Sequence, residues 1–174
     1  DELLSGPLST IRLHVIIETN QGLKACHEIA QASDRIDSLL FGGVDMAADL
    51  RVEPTWDSLL YARSRVVHAA ASASLDLIDV PHLDIKDEAG LTREAHLAQR
   101  MGFTGKAAIH PVQIAAINQA FSPTAESVDY ARRVLAAYEA SPHGVTLLDG
   151  KVVEMPVVRA MRRALGIAEK IANA

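Results

Sequence analysis

Cysteine is nearly missing from this chain of 174 residues: Cys26 stands alone, so no internal disulfide can form. Its neighbours Leu23, Ala25 and Ala30 mark it as a small side chain for an apolar interior rather than a reactive thiol. Basic clusters are missing too. With 17 Lys and Arg against 22 Asp and Glu, the formal charge is −5, and no block of positive side chains exists to neutralise phosphates or anionic lipids. Neither nucleic acid nor a membrane surface is an expected partner. Apolar runs such as 13–17 stop far short of the roughly 20 residues that span a bilayer. Residues 1–20 lack the layout of a secretory signal, so a cytoplasmic location is expected. There is no initiator Met, internal repeat or low-complexity tract, and the chain is expected to begin mid-protein.

What is present is the composition of a soluble globular protein, with 49% hydrophobic and 22% charged residues, enough for one sizeable core. Residues 11–17 place Ile11, Leu13, Val15 and Ile17 at period two and predict a strand. A helix over 22–32 follows, then a second strand over 36–41 running into Gly42-Gly43-Val44-Asp45. After Pro54, Leu59, Ala62, Val66, Ala69 and Ala73 form one apolar helical stripe. A third strand over 75–80, a helix over 91–101 stopped by Gly102, and a fourth strand over 105–109 come next. His110-Pro111 and Pro123 each open a helix, Asp149-Gly150 marks a hairpin, and Pro156 starts a last helix. Four strand–helix units imply parallel strands with right-handed crossovers, in a doubly wound sheet or half of an eightfold barrel. Half a barrel would expose its inner face and two edges, so its complement is expected upstream.

Three segments carry chemistry. Glu18 ends the first apolar strand, where a solvated loop glutamate and a ligand-binding acid look alike. Asp45 and Asp49 follow the glycines of the second strand and would equally serve as helix caps. The pair Glu18 and Asp45 says more than either alone, because adjacent parallel strands end about 5 Å apart. Two carboxylates there can share one Mg²⁺, which keeps waters and accepts further oxygens from a substrate. The third segment, 102–113, lacks the spacing of a nucleotide P-loop, so Lys106 receives no role from it, and His110 reads first as a structural histidine. The other histidines show no metal-ligand spacing.

In order, Ile17-Glu18-Thr19 with Gly22, Phe41-Gly42 with Asp45 and Ala48-Asp49-Leu50, Gly102-Phe103 with Gly105-Lys106, and Ile109-His110-Pro111 with Gln113 resemble the family of citrate lyase β-subunits and malyl-CoA/citramalyl-CoA lyases, among the Mg²⁺-dependent aldolases. Phe121-Ser122-Pro123 and the tail 149–156 follow the same pattern. The resemblance implies a TIM (β/α)8 barrel of which residues 1–140 supply strands five to eight. Residues 141–174 would form a hairpin and helix packing on a neighbouring subunit of a homo-oligomer, a trimer. It implies Mg²⁺ held by Glu18 and Asp45, and a CoA thioester substrate bound near Gly42, Gly43, Ile109, His110 and Pro111.

The implied reaction is cleavage of citramalyl-CoA or malyl-CoA to acetyl-CoA and pyruvate or glyoxylate. Alternatives are a citryl-carrier thioester, hydrolysis of malyl-CoA, or a non-catalytic CoA-binding relative. Glu154 matches the family's catalytic carboxylate, reaching in from an adjacent subunit, where Asp is usual; Val44 stands where an acid commonly precedes the metal Asp. The family's substrate arginine belongs to the half not represented.

Overall fold

The computed structural model describes residues 10–141 and 144–173, which divide into two compact units at Phe121/Ser122. In the first unit, β1 (Leu13–Ile17) and β2 (Ile36–Phe41) pair in parallel, with Val15 beside Leu39 and Ile17 beside Phe41. Strands β3 (Asp76–Asp79) and β4 (Gly105–Lys106) extend the sheet in chain order β1-β2-β3-β4, every pair parallel. This is the α/β pattern expected of strand–helix repeats.

The helices are α1 (Asn20–Lys24), α2 (Cys26–Ala30), α3 (Gly43–Leu50), α4 (Leu60–Ser72), α5 (Glu88–Met101) and α6 (Ile114–Phe121), the last preceded by a 3₁₀ turn over Pro111–Gln113. Ile17, Leu39, Phe41 and Leu77 on one sheet face pack with Leu59, Ala62, Val66 and Ala69, the predicted stripe at the start and along the inner side of α4. Cys26 is fully buried in the same core. Ile11 and Leu13 do not share that burial, being 47% and 40% exposed.

Three elements depart from the sequence reading. The helix over 22–32 is two short helices broken at Ala25, where the Arg65 Nε and Nη2 groups donate to the Leu23 and Lys24 carbonyls at 2.9 and 3.0 Å. Those bonds satisfy carbonyls that a continuous helix would have used. The fourth strand stops at Lys106 instead of running to 109, because the Ile109 N–H turns to the Gln113 side-chain oxygen at 2.9 Å. And Gly43-Val44-Asp45, into which the second strand is expected to run, forms the first turn of α3.

The second unit contains α7 (Ala125–Glu139), strands β5 (Thr146–Leu148) and β6 (Lys151–Val153) in an antiparallel hairpin, and α8 (Met155–Ala172). Val134, Val153 and Val158 form its core, flanked by Tyr130, Leu135, Tyr138 and Met161. Because α7 joins that core, the expected boundary at 140/141 falls inside this unit. Asp149 and Gly150 have φ of 50° and 76°, the left-handed pair that a two-residue hairpin turn requires.

Candidate metal and substrate site

Glu18 leaves the sheet one residue beyond β1 and is half-buried. The sheet bonding continues past the strand ends, with the Gly42 N–H donating to the Ile17 carbonyl at 3.0 Å, which sets Gly42 beside Glu18. The Gly42 carbonyl then accepts from Met46 N at 2.9 Å and launches α3, so Asp45 sits in the helix's first turn. An acid there is favoured by the helix dipole. Gly42 is where glycine matters most: a Cβ would collide with the Glu18 Cβ and lie 2.9 Å from its Oε2. The bare backbone lets the glutamate lie across it.

Glu18 and Asp45 line one pocket of about 190 Å³, with Ile16, Leu40, Phe41, Gly42, Val44, Asp79, Val80, Pro81 and Ala107. Among the described residues neither acid makes a salt bridge or side-chain hydrogen bond, and no third His, Cys, Asp or Glu joins them in a metal-binding group. Two unneutralised carboxylates are hard oxygen donors of the number Mg²⁺ takes from protein, and not the nitrogen and sulfur set of structural zinc. The residues present therefore fit Mg²⁺. Asp49 does not contribute: its Oδ2 accepts from the Asn20 N–H and ties α3 to the start of α1.

The pocket wall also holds a third carboxylate that the sequence reading did not single out. Asp79 ends β3 with its side chain fully buried, its Oδ1 accepting from Arg63 Nε at 3.0 Å and its Oδ2 from Lys106 Nζ at 2.8 Å. Lys106 also reaches the Val80 carbonyl at 2.7 Å and Glu94 Oε2 at 3.2 Å, while His82 Nδ1 lies 3.1 Å from the same Glu94 oxygen. Partial burial alone would push Glu94 up; the Lys106 ammonium and the His82 contact outweigh it and hold its carboxyl below the usual carboxylate range. Arg63 lies over the rings of Trp56 and Phe41, 4.4 and 5.0 Å from their centroids. Two signals pointed here: Asp79 is a strand-end acid like Glu18, and Arg63 adjoins the apolar stripe at Ala62.

The remaining expected site residues are not in this pocket. Gly43 lines a neighbouring one of about 230 Å³ with Val44, Arg63, Pro81 and His82. Ile109, His110 and Pro111 are exposed on the loop after β4. His110 Nδ1 accepts from Val112 N at 3.2 Å and caps the 3₁₀ turn. Glu154 belongs to the second unit, exposed at the N-cap of α8 with no side-chain capping bond.

Comparison with known proteins decides the family, since the model of the HpcH/HpaI aldolase/citrate lyase family matches residues 6–111. The chain belongs to that family. It is 39% identical to the citrate lyase subunit beta of Escherichia coli strain K12 over 88% of this chain and 52% of that one. It is 33% identical to the mitochondrial citramalyl-CoA lyase of Mus musculus, over 89% and 50%. The crystal structure of protein CitE from Mycobacterium tuberculosis, in complex with magnesium, acetoacetate and coenzyme A, superposes with a TM-score of 0.78 at 32% identity, covering 91% of this chain and 61% of that one. This member of the aldolase/citrate lyase family thus spans about half the length of the relatives it matches.

Proposed function

We propose that this chain carries the metal-binding part of a Mg²⁺-dependent carbon–carbon lyase that cleaves a 3-hydroxyacyl-CoA such as citramalyl-CoA or malyl-CoA. The observation that carries the reading is the pairing of Glu18 and Asp45 in one pocket at the C-terminal edge of parallel strands, with no basic side chain bonded to either among the described residues. The magnesium and coenzyme A of the related CitE complex support it. The fold reading that goes with it is a (β/α)8 barrel with β1–β4 as strands five to eight, which the half-exposed Ile16 on the far sheet face favours.

Glu18 and Asp45 would hold Mg²⁺, which when bound polarises the substrate oxygen that becomes a carbonyl. Gly42 leaves the space that Glu18 occupies, and Gly43 with Ile109, His110 and Pro111 would bound the thioester. A carboxylate, Glu154 of a neighbouring copy in a homo-oligomer such as a trimer, would take the hydroxyl proton. The carbon–carbon bond then breaks, its electron pair passing to the acetyl-CoA enolate, which is reprotonated, and pyruvate or glyoxylate is left. The second reading is a citrate lyase β-subunit acting on a citryl-carrier thioester, favoured by the 39% identity to the Escherichia coli protein.

Product analysis with citramalyl-CoA, malyl-CoA and a citryl-carrier thioester, with Mg²⁺ and with excess chelator, tests these readings. Release of acetyl-CoA from a free CoA thioester, abolished by chelation, is the expected result. Turnover of the carrier thioester alone would select the second reading, and unchanged turnover under chelation would overturn both. Glu18→Gln or Asp45→Asn is expected to lower kcat/KM by about 100-fold or more while the protein stays folded.

A further inference from the structure

The buried cation Lys106 has no part in the chemistry above, yet it is the most completely bonded side chain near the carboxylate pocket. Its ammonium has no solvent exposure: it donates to Asp79 Oδ2 at 2.8 Å and the Val80 carbonyl at 2.7 Å, and forms an ion pair with Glu94 Oε2 at 3.2 Å. Burying an ammonium is costly, and a wholly hydrophobic set of side chains in place of such a buried ion-pair network often serves stability as well or better, although removing one partner alone leaves a buried charge unpaired. Charge balance with Asp79 and Glu94 is one role of the lysine. Its partners give another.

Asp79 and Val80 both line the pocket that contains Glu18 and Asp45. Val80 also packs on Gly43, its Cγ1 lying 3.1 Å from where a Cβ would stand, and Gly43 is the first residue of α3, whose first turn carries Asp45. A continuous line of contacts thus runs from the Lys106 ammonium through the Val80 backbone and side chain to the helix turn bearing one of the two carboxylates. Asp79 has each of its two oxygens bonded to a cation, Arg63 or Lys106, so its charge in the pocket wall is already balanced, unlike those of Glu18 and Asp45.

We propose that Lys106 is a positioning residue for Mg²⁺: by fixing Val80 and Asp79 it fixes the α3 turn that presents Asp45. The inference rests on the metal reading of Glu18 and Asp45. Loss of a group bonded directly to a metal ligand typically weakens metal binding about 10- to 100-fold, and since Lys106 acts one step further out, through Val80, the loss expected of Lys106→Met lies toward the lower end, about 10-fold. Val80→Ala keeps the carbonyl that Lys106 binds and trims the side chain that packs on Gly43 and the core, so it weakens binding less.

The test is calorimetric titration of the protein with Mg²⁺, paired with a thermal melt of each variant. Glu18→Gln is the metal-site reference, and Val66→Ala, in the α4 core, is a variant that loses stability without touching the pocket. The expected pattern is no binding in Glu18→Gln, a Kd raised about 10-fold in Lys106→Met, a smaller rise in Val80→Ala, and an unchanged Kd with a lower Tm in Val66→Ala. Wild-type Mg²⁺ affinity in a folded Lys106→Met protein overturns the proposal, as does an equal loss in Val66→Ala. Should Lys106→Met not fold, Val80→Ala decides alone, and wild-type affinity there overturns it. Undiminished binding in Glu18→Gln would instead overturn the metal reading, an outcome distinct from the others.

Discussion

Gly42 is the residue whose absent side chain matters most. Its φ of −85° suits any L residue, so Gly42→Ala creates no backbone strain, and its main consequence is collision with Glu18, with Ile16 Cγ2 also 3.0 Å from the new Cβ. We expect this variant to fold with nearly the wild-type Tm but to bind Mg²⁺ more weakly, as read by titration; an unchanged Kd would show that Glu18 can lie elsewhere and still serve. Glu94 supports a different prediction. Its folded-state carboxyl titrates below its unfolded value, so its contribution to stability is complete above the unfolded pKa of about 4.3 and disappears as pH falls through the lower folded value. Glu94→Gln is therefore expected to be less stable than wild type at pH 7 and to converge on it in acid, measured as Tm against pH.

At the scale of elements, two glycines are predicted to respond in opposite directions. Gly150 closes the β5–β6 hairpin at a φ of 76°, with nothing within 4 Å of where a Cβ would stand, so Gly150→Ala meets only backbone strain and is expected to cost about 1–2 kcal/mol. Gly166 lies inside α8, also with nothing within 4 Å, and Gly166→Ala is expected to stabilise the second unit by about 0.5–1 kcal/mol. Denaturant titration of both variants checks the signs. Since both residues belong to the second unit, neither is expected to change Mg²⁺ affinity.

At the scale of the whole molecule, the proposed reaction needs groups from both units: Glu18 and Asp45 from one, Glu154 from the other. If Glu154 acts on the pocket of a neighbouring copy, Glu18→Gln and Glu154→Gln proteins, each inactive alone, regain activity when unfolded together and reassembled. Random assembly of subunits from a mixture leaves a share of pockets with both carboxylates intact, so recovery is expected to peak when the two variants are mixed in equal amounts. Activity that never exceeds that of the separate variants would sink the contribution across subunits.

Much of this was legible in the amino-acid order because it is local. Period-two alternation marked β1, the Leu59–Ala69 stripe marked the buried side of α4, Gly102 ended α5 with a φ of 109°, and Asp149-Gly150 marked the hairpin. Glu18 and Asp45 were visible as acids just past strands. Tertiary structure alone decided the rest, since it depends on pairings across long stretches of chain. Arg65 divides the first helix from about 40 residues away along the sequence, Asp49 is committed to Asn20 instead of a metal, and Asp79 meets Arg63 and Lys106 at separations of 16 and 27 residues. A strand-end acid becomes a free ligand or a buried salt-bridge partner according to the cations that folding brings to it, and spacing along one strand carries no record of them.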